Sequence, residues 1–187
     1  ARREATTKRT PPLSLVASRT ASDVAVFVDE VRLHGVRNLV DLVSLRNYLA
    51  HLSRAGLSSS QIFGIKVDGI GAINDRGNVA DTIFALTETA AAVAQAISVY
   101  GYLMAYAGSG CFICSCNRPS LIVPEDLESD IESVVDDREA TYDNGDPVDI
   151  TVSVGYPMRP RETTPPRIKD LFAKVISRVE RRAAEKR

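Results

Sequence analysis

The sequence predicts a mainly α fold: a helical bundle with a long central heptad-patterned helix, a minor β element and extended basic N- and C-terminal arms. Three observations lead to it. Apolar residues recur with a seven-residue period in the middle of the chain, basic residues concentrate at both ends, and only one short segment alternates apolar with polar residues. The 187 residues, 44% hydrophobic and 25% charged, suit one soluble domain with arms and exclude a disordered chain or a polytopic membrane protein.

The first part of the chain is predicted to form an arm followed by two helices. Residues 1–20 are interpreted as a basic arm, because two adjacent prolines interrupt any helix there. Helical spacing of apolar residues predicts a first helix over 22–35, and a second from a cap at Asn38 to a glycine terminator at Gly56. The segment 64–77 contains four glycines and is compatible with a strand or an irregular loop.

The central helix is predicted to begin at a cap at Asn78 and to end at the Gly-Ser-Gly run 108–110. Its apolar residues are spaced alternately four and three apart, a pattern that keeps one seam against a neighbouring helix. We therefore predict an assembly seam of Ile83, Leu86, Val93, Ile97, Tyr100 and Met104. Residues 89–117 contain no charged side chain, so a membrane helix is an alternative, but their many alanines favour a buried helix.

Three further elements are predicted towards the C-terminus. An acidic helix starts at Pro124, an alternating pattern predicts one strand over 148–154, and a basic amphipathic helix follows a proline-rich connector. The predicted organisation comprises a basic N-terminal arm (1–20), a helical core (21–140), a strand with a Pro-rich connector (141–166) and a basic amphipathic C-terminal helix (167–187).

Charge is strongly segregated, although the formal net charge is only −1. Residues 1–20 hold five basic residues and one acidic, 125–149 hold eleven acidic and one basic, and 159–187 hold ten basic and four acidic. Basic arms can neutralise the phosphates of RNA or DNA without sequence specificity, or contact the acidic segment of another copy. Ordinary solvated faces are the remaining explanation. The predicted contact residues are Arg2, Arg3, Lys8, Arg9, Arg159, Arg161, Arg167, Arg178, Arg181 and Arg182.

The three cysteines, Cys111, Cys114 and Cys116, form a C-x-x-C-x-C run that could converge on one soft metal ion. The run Cys-Phe-Ile-Cys-Ser-Cys resembles the claw motif of the nitrile hydratase α subunit. That resemblance implies cobalt or iron held by the three cysteines and two backbone amides. The sequence departs from that family after Cys116 and has no tryptophan. The alternative is a set of small buried residues without a cofactor, which we expect.

Together these features predict a structural subunit that self-assembles through helix packing and exchanged arms, such as a coat or nucleocapsid-like protein. Its predicted partners are copies of itself and nucleic acid backbone, not a membrane. An odd, clustered set of cysteines does not form a disulfide framework, so a reducing environment is expected, inside a cell or a virion. A metal-dependent enzyme using the cysteine run and an accessory subunit of a large complex are the alternatives. No catalytic residue is predicted, because His34 and His51 lack the pattern of a nucleophile–base pair.

Overall fold

The centre of the molecule is a five-stranded mixed sheet. The computed structural model describes residues 33–76, 79–160 and 165–186, so the predicted arm over 1–20 and nearly all of the predicted helix over 22–35 lie outside the described residues. The strands are β1 (Leu39–Val40), β2 (Ser60–Val67), β3 (Gly101–Gly108), β4 (Cys111–Asn117) and β5 (Val152–Val154). The helices are α1 (Leu42–Ala50), α2 (Arg54–Ser59), α3 (Ile70–Asp75), α4 (Val79–Ala96), α5 (Pro124–Asp137) and α6 (Pro165–Glu185).

The strands lie in the order β1-β3-β4-β2-β5. Strand β1 runs parallel to β3, and every other neighbouring pair is antiparallel. Helices α4 and α5 cover one face of this sheet, where Phe63 and Phe112 are buried, and α1 and α6 cover the other, where Ile62 and Ile113 are buried. The prediction of a mainly α helical bundle is therefore wrong, and the fold is α/β.

The long central helix of the prediction is replaced by a shorter helix and a β-hairpin. Helix α4 ends at Ala96, and residues 101–117 form β3, a tight turn and β4. All residues of β4 except the last are buried, because the strand lies between β3 and β2 under helices on both faces. A strand buried on both faces shows no alternation of apolar and polar residues, so its sequence imitates a buried helix. Among the described residues, none of the helices has the length and apolar character needed to span a bilayer.

The predicted helix from Asn38 to Gly56 is divided into a short strand and two helices. The backbone of Asn38 is left-handed, with φ of 58°, whereas a cap residue has extended geometry. Asp41 caps α1 instead, since its Oδ1 accepts a hydrogen bond of 2.7 Å from the amide of Ser44. Ser53 caps α2, and Gly56, the expected terminator, lies inside that helix.

Two elements near the C-terminus are predicted correctly because each has one apolar face. Helix α5 begins with Pro124 at its first turn, as expected, and buries Leu127 and Ile131. Helix α6 buries Ile168, Leu171, Val175 and Val179. The predicted strand over 148–154 is confirmed in its last three residues, which form β5.

Two glycines allow α6 to approach the sheet closely. A Cβ at Gly64, in β2, would lie 2.9 Å from Cγ1 of Val179. A Cβ at Gly155, directly after β5, would lie 3.1 Å from the backbone nitrogen of the same residue. Real Cβ atoms rarely or never make contacts this short, so Val179 packs directly against the backbone of these two glycines. Their lack of a side chain therefore sets the distance between α6 and the sheet.

Candidate functional site

The three cysteines are separated by the geometry of β4. Successive side chains of a strand point to opposite faces, and Cys111 is an odd number of residues from both Cys114 and Cys116. All three are buried free thiols. Thiols on opposite faces of a sheet cannot converge on one ion, and the described ranges contain no group of three or more His, Cys, Asp or Glu suited to a metal. The predicted metal-binding loop is therefore not formed, and neither is the claw motif that it resembles.

Two of the cysteines, Cys114 and Cys116, are also poor nucleophiles. Burial raises the pKa of the Cys114 thiol, and the neighbouring Cys116 raises it further. Burial raises the pKa of the Cys116 thiol to about 11, although Arg118 acts in the opposite direction. Because the thiolate is the reactive form, these side chains stay protonated and unreactive near neutral pH.

The turn between β3 and β4 is closed tightly, and we call this end of the sheet the hairpin end. Gly110, at the tip, has φ of 74°. Its carbonyl accepts a hydrogen bond of 2.9 Å from the amide of Val67, and its amide donates one of 3.1 Å to the hydroxyl of Tyr106. A Cβ at this position would lie 2.8 Å from Cγ2 of Ile70 in α3. The tip therefore has neither the backbone geometry nor the space for a side chain at residue 110.

Two charged groups near this turn, Asp68 and Lys66, have partners. The hydroxyl of Ser153 contacts both carboxylate oxygens of Asp68, at 3.0 and 2.9 Å. Lys66, directly opposite Cys111 in the β2–β4 register, has its ammonium 3.7 Å from a carboxylate oxygen of Glu180 in α6. One carboxylate bound by a hydroxyl and one paired ammonium do not resemble a cluster of metal ligands.

Tyr142 packs edge-to-face against Phe84, with their ring centroids 6.0 Å apart. Burial raises the pKa of the Tyr142 hydroxyl, Asp81 and Asp149 raise it further, and Arg76 lowers it.

The opposite end of the sheet holds a cleft of about 500 Å³, which we call the cationic cleft. Its lining comes from α6 and from the segment after β5, and consists of Pro157, Met158, Arg159, Pro160, Arg167, Asp170, Leu171, Lys174 and Arg178. The guanidinium of Arg159 donates to the carbonyl oxygens of Ser58 and Pro119. The guanidinium of Arg178 donates to the carbonyl oxygens of Tyr156 and Pro157, at 3.3 and 3.5 Å. Among the described lining residues, four side chains are cationic and one, Asp170, is a carboxylate.

The C-terminal half of α6 is joined to α5 around the edge of the sheet. Glu128 of α5 is 8% exposed and accepts hydrogen bonds from Arg182 at 2.7 Å and from Lys186 at 3.2 Å. Its Oε1 also accepts from the amide of Val154 at 2.8 Å. Burial raises the pKa of Glu128, but the bonds from Arg182, the Val154 amide and Lys186 outweigh it and hold that pKa below its usual value. These charged groups therefore connect α5 to the C-terminal end of α6.

The predicted contact residues fall into three groups. Those of the N-terminal arm and Arg161 lie outside the described residues: Arg2, Arg3, Lys8, Arg9 and Arg161. Arg159, Arg167 and Arg178 line the cationic cleft. Arg181 is exposed beside Glu185, at 3.8 Å, and Arg182 lies in the Glu128 network.

Sequence reasoning missed Lys174 as a member of the cationic cleft. It follows Arg167 by seven residues and precedes Arg178 by four, so all three lie on one face of a helix. That spacing alone was enough to group Lys174 with Arg167 and Arg178 from the sequence. Arg159 joins them only because the chain after β5 returns along β2, where Met158 pairs with Ile62.

The residues of the predicted assembly seam lie in several environments. Leu86, Val93 and Ile97 are buried in the cluster between α4 and the sheet of their own chain, and Met104 is buried in β3. Ile83 is partly exposed, and the ring of Tyr100 lies under the guanidinium of Arg118, at 5.2 Å. A single helical seam over these residues is therefore not present, while a role in self-association stays a prediction.

Solved structures share this fold, although no family model and no curated protein matches the chain. The diguanylate cyclase SiaD of Pseudomonas aeruginosa, solved with its activator SiaC, superposes with a TM-score of 0.59 at 18% identity, over 88% of this chain and 60% of SiaD. The GGDEF domain of DgcB from Caulobacter crescentus, solved with c-di-GMP, gives 0.56 at 16% identity, over 79% of this chain and 91% of that domain. The GGDEF domain of YfiN from P. aeruginosa gives 0.57 at 16% identity, over 76% and 85% of the two chains.

These similarities overturn the prediction of a coat or nucleocapsid-like structural subunit, because the neighbours are domains of cyclases. The chain spans only 60% of the length of SiaD, and the identities are below the level at which activity follows from fold. The described part of this chain has the α/β fold of GGDEF diguanylate cyclase domains.

Proposed function

We propose that this chain is a signalling domain of the diguanylate cyclase fold that acts by binding and does not form phosphodiester bonds. The shared fold supports the first half of this proposal, since it relates the chain to domains that make or bind a cyclic dinucleotide. The second half is supported by the chemistry of the hairpin end.

The name GGDEF spells five residues in one-letter code, Gly-Gly-Asp-Glu-Phe. This chain contains no such run. Only at Gly108–Phe112 does a phenylalanine follow a glycine by four residues, and this run reads Gly-Ser-Gly-Cys-Phe. It includes the turn between β3 and β4, with Gly110 and Cys111 in place of the two carboxylates.

The observation that carries the proposal is the packing of Gly110 against Ile70. The positive φ of Gly110 disfavours any side chain, and a Cβ added there would lie 2.8 Å from Cγ2 of Ile70, which leaves no room for an aspartate. Cys111, the next residue, is buried, so a glutamate in its place would bury a charge. The packing of this turn therefore disfavours an aspartate at position 110 and a glutamate at position 111.

GGDEF domains generally bind a nucleotide and Mg²⁺. Phosphoryl transfer from nucleoside triphosphates relies on divalent cations that bridge carboxylates and phosphate oxygens. At the hairpin end Asp68 accepts from the hydroxyl of Ser153, the turn itself supplies no carboxylate, and the described residues hold no cluster of three or more His, Cys, Asp or Glu suited to a metal. The residues present do not fit a catalytic Mg²⁺ site, so no catalytic step is assigned to it.

The test is a turnover assay on the full chain with GTP and either Mg²⁺ or Mn²⁺, with c-di-GMP measured by chromatography. SiaD with its activator SiaC serves as the positive control. We expect no c-di-GMP above the level of a reaction without protein, while isothermal titration still detects binding of a guanine nucleotide or c-di-GMP. Formation of c-di-GMP by the purified chain would show that the proposal is wrong, and so would a titration that detects no binding of a guanine nucleotide or of c-di-GMP.

A further inference from the structure

We propose that the cationic cleft binds a small organic ligand that carries phosphate groups, such as a nucleoside diphosphate. This inference rests on the proposed function, because it names the ligand class of a domain that acts by binding. The cleft lies at the end of the sheet opposite the hairpin turn. It is therefore separate from the β3–β4 turn, where the two acidic residues of a GGDEF sequence would stand.

The size and construction of the cleft suit a small molecule. Its volume of about 500 Å³ is within the range of pockets that hold drug-sized ligands. Its walls come from two separate parts of the chain, the segment 157–160 and residues 167–178 of α6. Such a pocket encloses a ligand from two sides, whereas a basic stripe along one helix would only attract a polyanion.

Two of its arginines are held in place before any ligand arrives. Arg159 is anchored by the carbonyl oxygens of Ser58 and Pro119, and Arg178 by those of Tyr156 and Pro157. A guanidinium has five N–H donors, so these anchors leave donors that can reach an oxyanion. A side chain that is already ordered loses less conformational entropy when a ligand binds, which favours affinity.

Lys174 supplies a charge that the protein does not neutralise. Its side chain is exposed, and within the described ranges it makes no hydrogen bond or ion pair. Among the described residues that line the cleft, four cationic side chains accompany the single carboxylate of Asp170. Charge-assisted hydrogen bonds from such groups can bind a phosphate without a metal ion.

The remaining lining explains why an organic phosphate is favoured over free phosphate. Met158 contributes most of the apolar surface, since Leu171 is only 8% exposed, and prolines at 157 and 160 stiffen the facing wall. The sulfur-containing side chain of Met158 adapts to flat and irregular groups. A ligand with a ring and a diphosphate would use both the apolar and the cationic lining.

The test measures binding of ADP, GDP, pyrophosphate and inorganic phosphate to the full chain by isothermal titration calorimetry at low salt. The decisive variant is Lys174→Glu, and the matched control is Lys169→Glu, which reverses an exposed charge on the same helix outside the cleft. We expect the nucleotides to bind more tightly than pyrophosphate and phosphate. Lys174→Glu should weaken nucleotide binding by about tenfold, and Lys169→Glu by less than about twofold.

Three results would overturn the inference: no binding of either nucleotide, equal losses in both variants, or binding of single-stranded DNA without binding of any small phosphate. Tighter binding of phosphate or pyrophosphate than of nucleotides would also contradict the predicted role of the apolar lining. A melting curve shows that both variants are folded, which is expected because both side chains are exposed. Turnover of GTP to c-di-GMP would refute the proposed function but not the cleft, so the two failures can be told apart.

Discussion

The two halves of α6 (Pro165–Glu185) are both basic, but they use their charges differently. In the C-terminal half, Arg182 is bound by the buried carboxylate of Glu128, which also binds Lys186 just beyond the helix. In the N-terminal half, Lys174 has no partner among the described residues, and just past the middle of the helix Arg178 contacts only backbone carbonyl groups within those residues. The comparison shows that a basic helix cannot be interpreted from its own sequence, because the facing element decides whether a charge stabilises the fold or stays available to a ligand.

The largest loss of stability is expected when Glu128, which binds the C-terminal half of α6, is replaced. Glu128→Ala removes the buried carboxylate that binds Arg182 and Lys186 and leaves Arg182 only an exposed carboxylate, and breaking such a pair costs about 3 kcal/mol of unfolding free energy. The measurement is chemical denaturation monitored by circular dichroism. Glu125→Ala is the control, since this carboxylate also contacts Arg182, at 2.9 Å, but is 56% exposed. Its loss should cost less than about 1 kcal/mol, and equal losses would contradict the assignment.

A smaller loss of stability is expected when the packing of α6 against the sheet is disturbed. Gly64→Ala places a methyl group against Val179 and should lower the unfolding free energy by about 2 kcal/mol, the cost of overpacking a core. Gly71→Ala in α3 is the control, because no atom lies within 4 Å of its Cβ position. We expect the control to leave stability unchanged or slightly raised. A Gly64→Ala protein as stable as the control would show that α6 is not held at a fixed distance from the sheet.

The smallest expected effect is on the pH dependence of stability. The folded state lowers the pKa of Glu128, so its contribution is complete above the ordinary glutamate pKa of 4.5 and is lost as the pH falls through the lower folded value. Denaturation midpoints of the wild-type chain and of Glu128→Gln should therefore converge as the pH is lowered from 7 towards 3. If the difference between them stays constant over this range, the carboxylate of Glu128 does not provide the stabilisation.

Helices α5 and α6 could be predicted from the sequence because each is apolar on one side only. The hairpin could not, since Phe112, Ile113 and Cys114 are buried in succession and a strand covered on both faces leaves no period to detect. The heptad spacing corresponds to a helix only within α4. It continues to Met104 by coincidence, because buried residues of β3 happen to follow the same spacing.

The candidate sites show the same limit. Arg167, Lys174 and Arg178 can be placed on one helix face from their spacing, but the opposing Arg159 requires knowledge of the fold. The packing of Gly110 against Ile70, on which the proposed function rests, joins positions 40 residues apart, and no local pattern reveals it.

Strand β5 ends the sheet, yet its outward amides are not left to solvent: Glu132 accepts from Val152 at 3.0 Å and Glu128 accepts from Val154. An uncovered border of this kind is where a foreign strand adds to a sheet. Here two carboxylates of α5 accept from the border amides, and both strand residues are fully buried. A foreign strand can therefore add at this border only if α5 is first displaced from it.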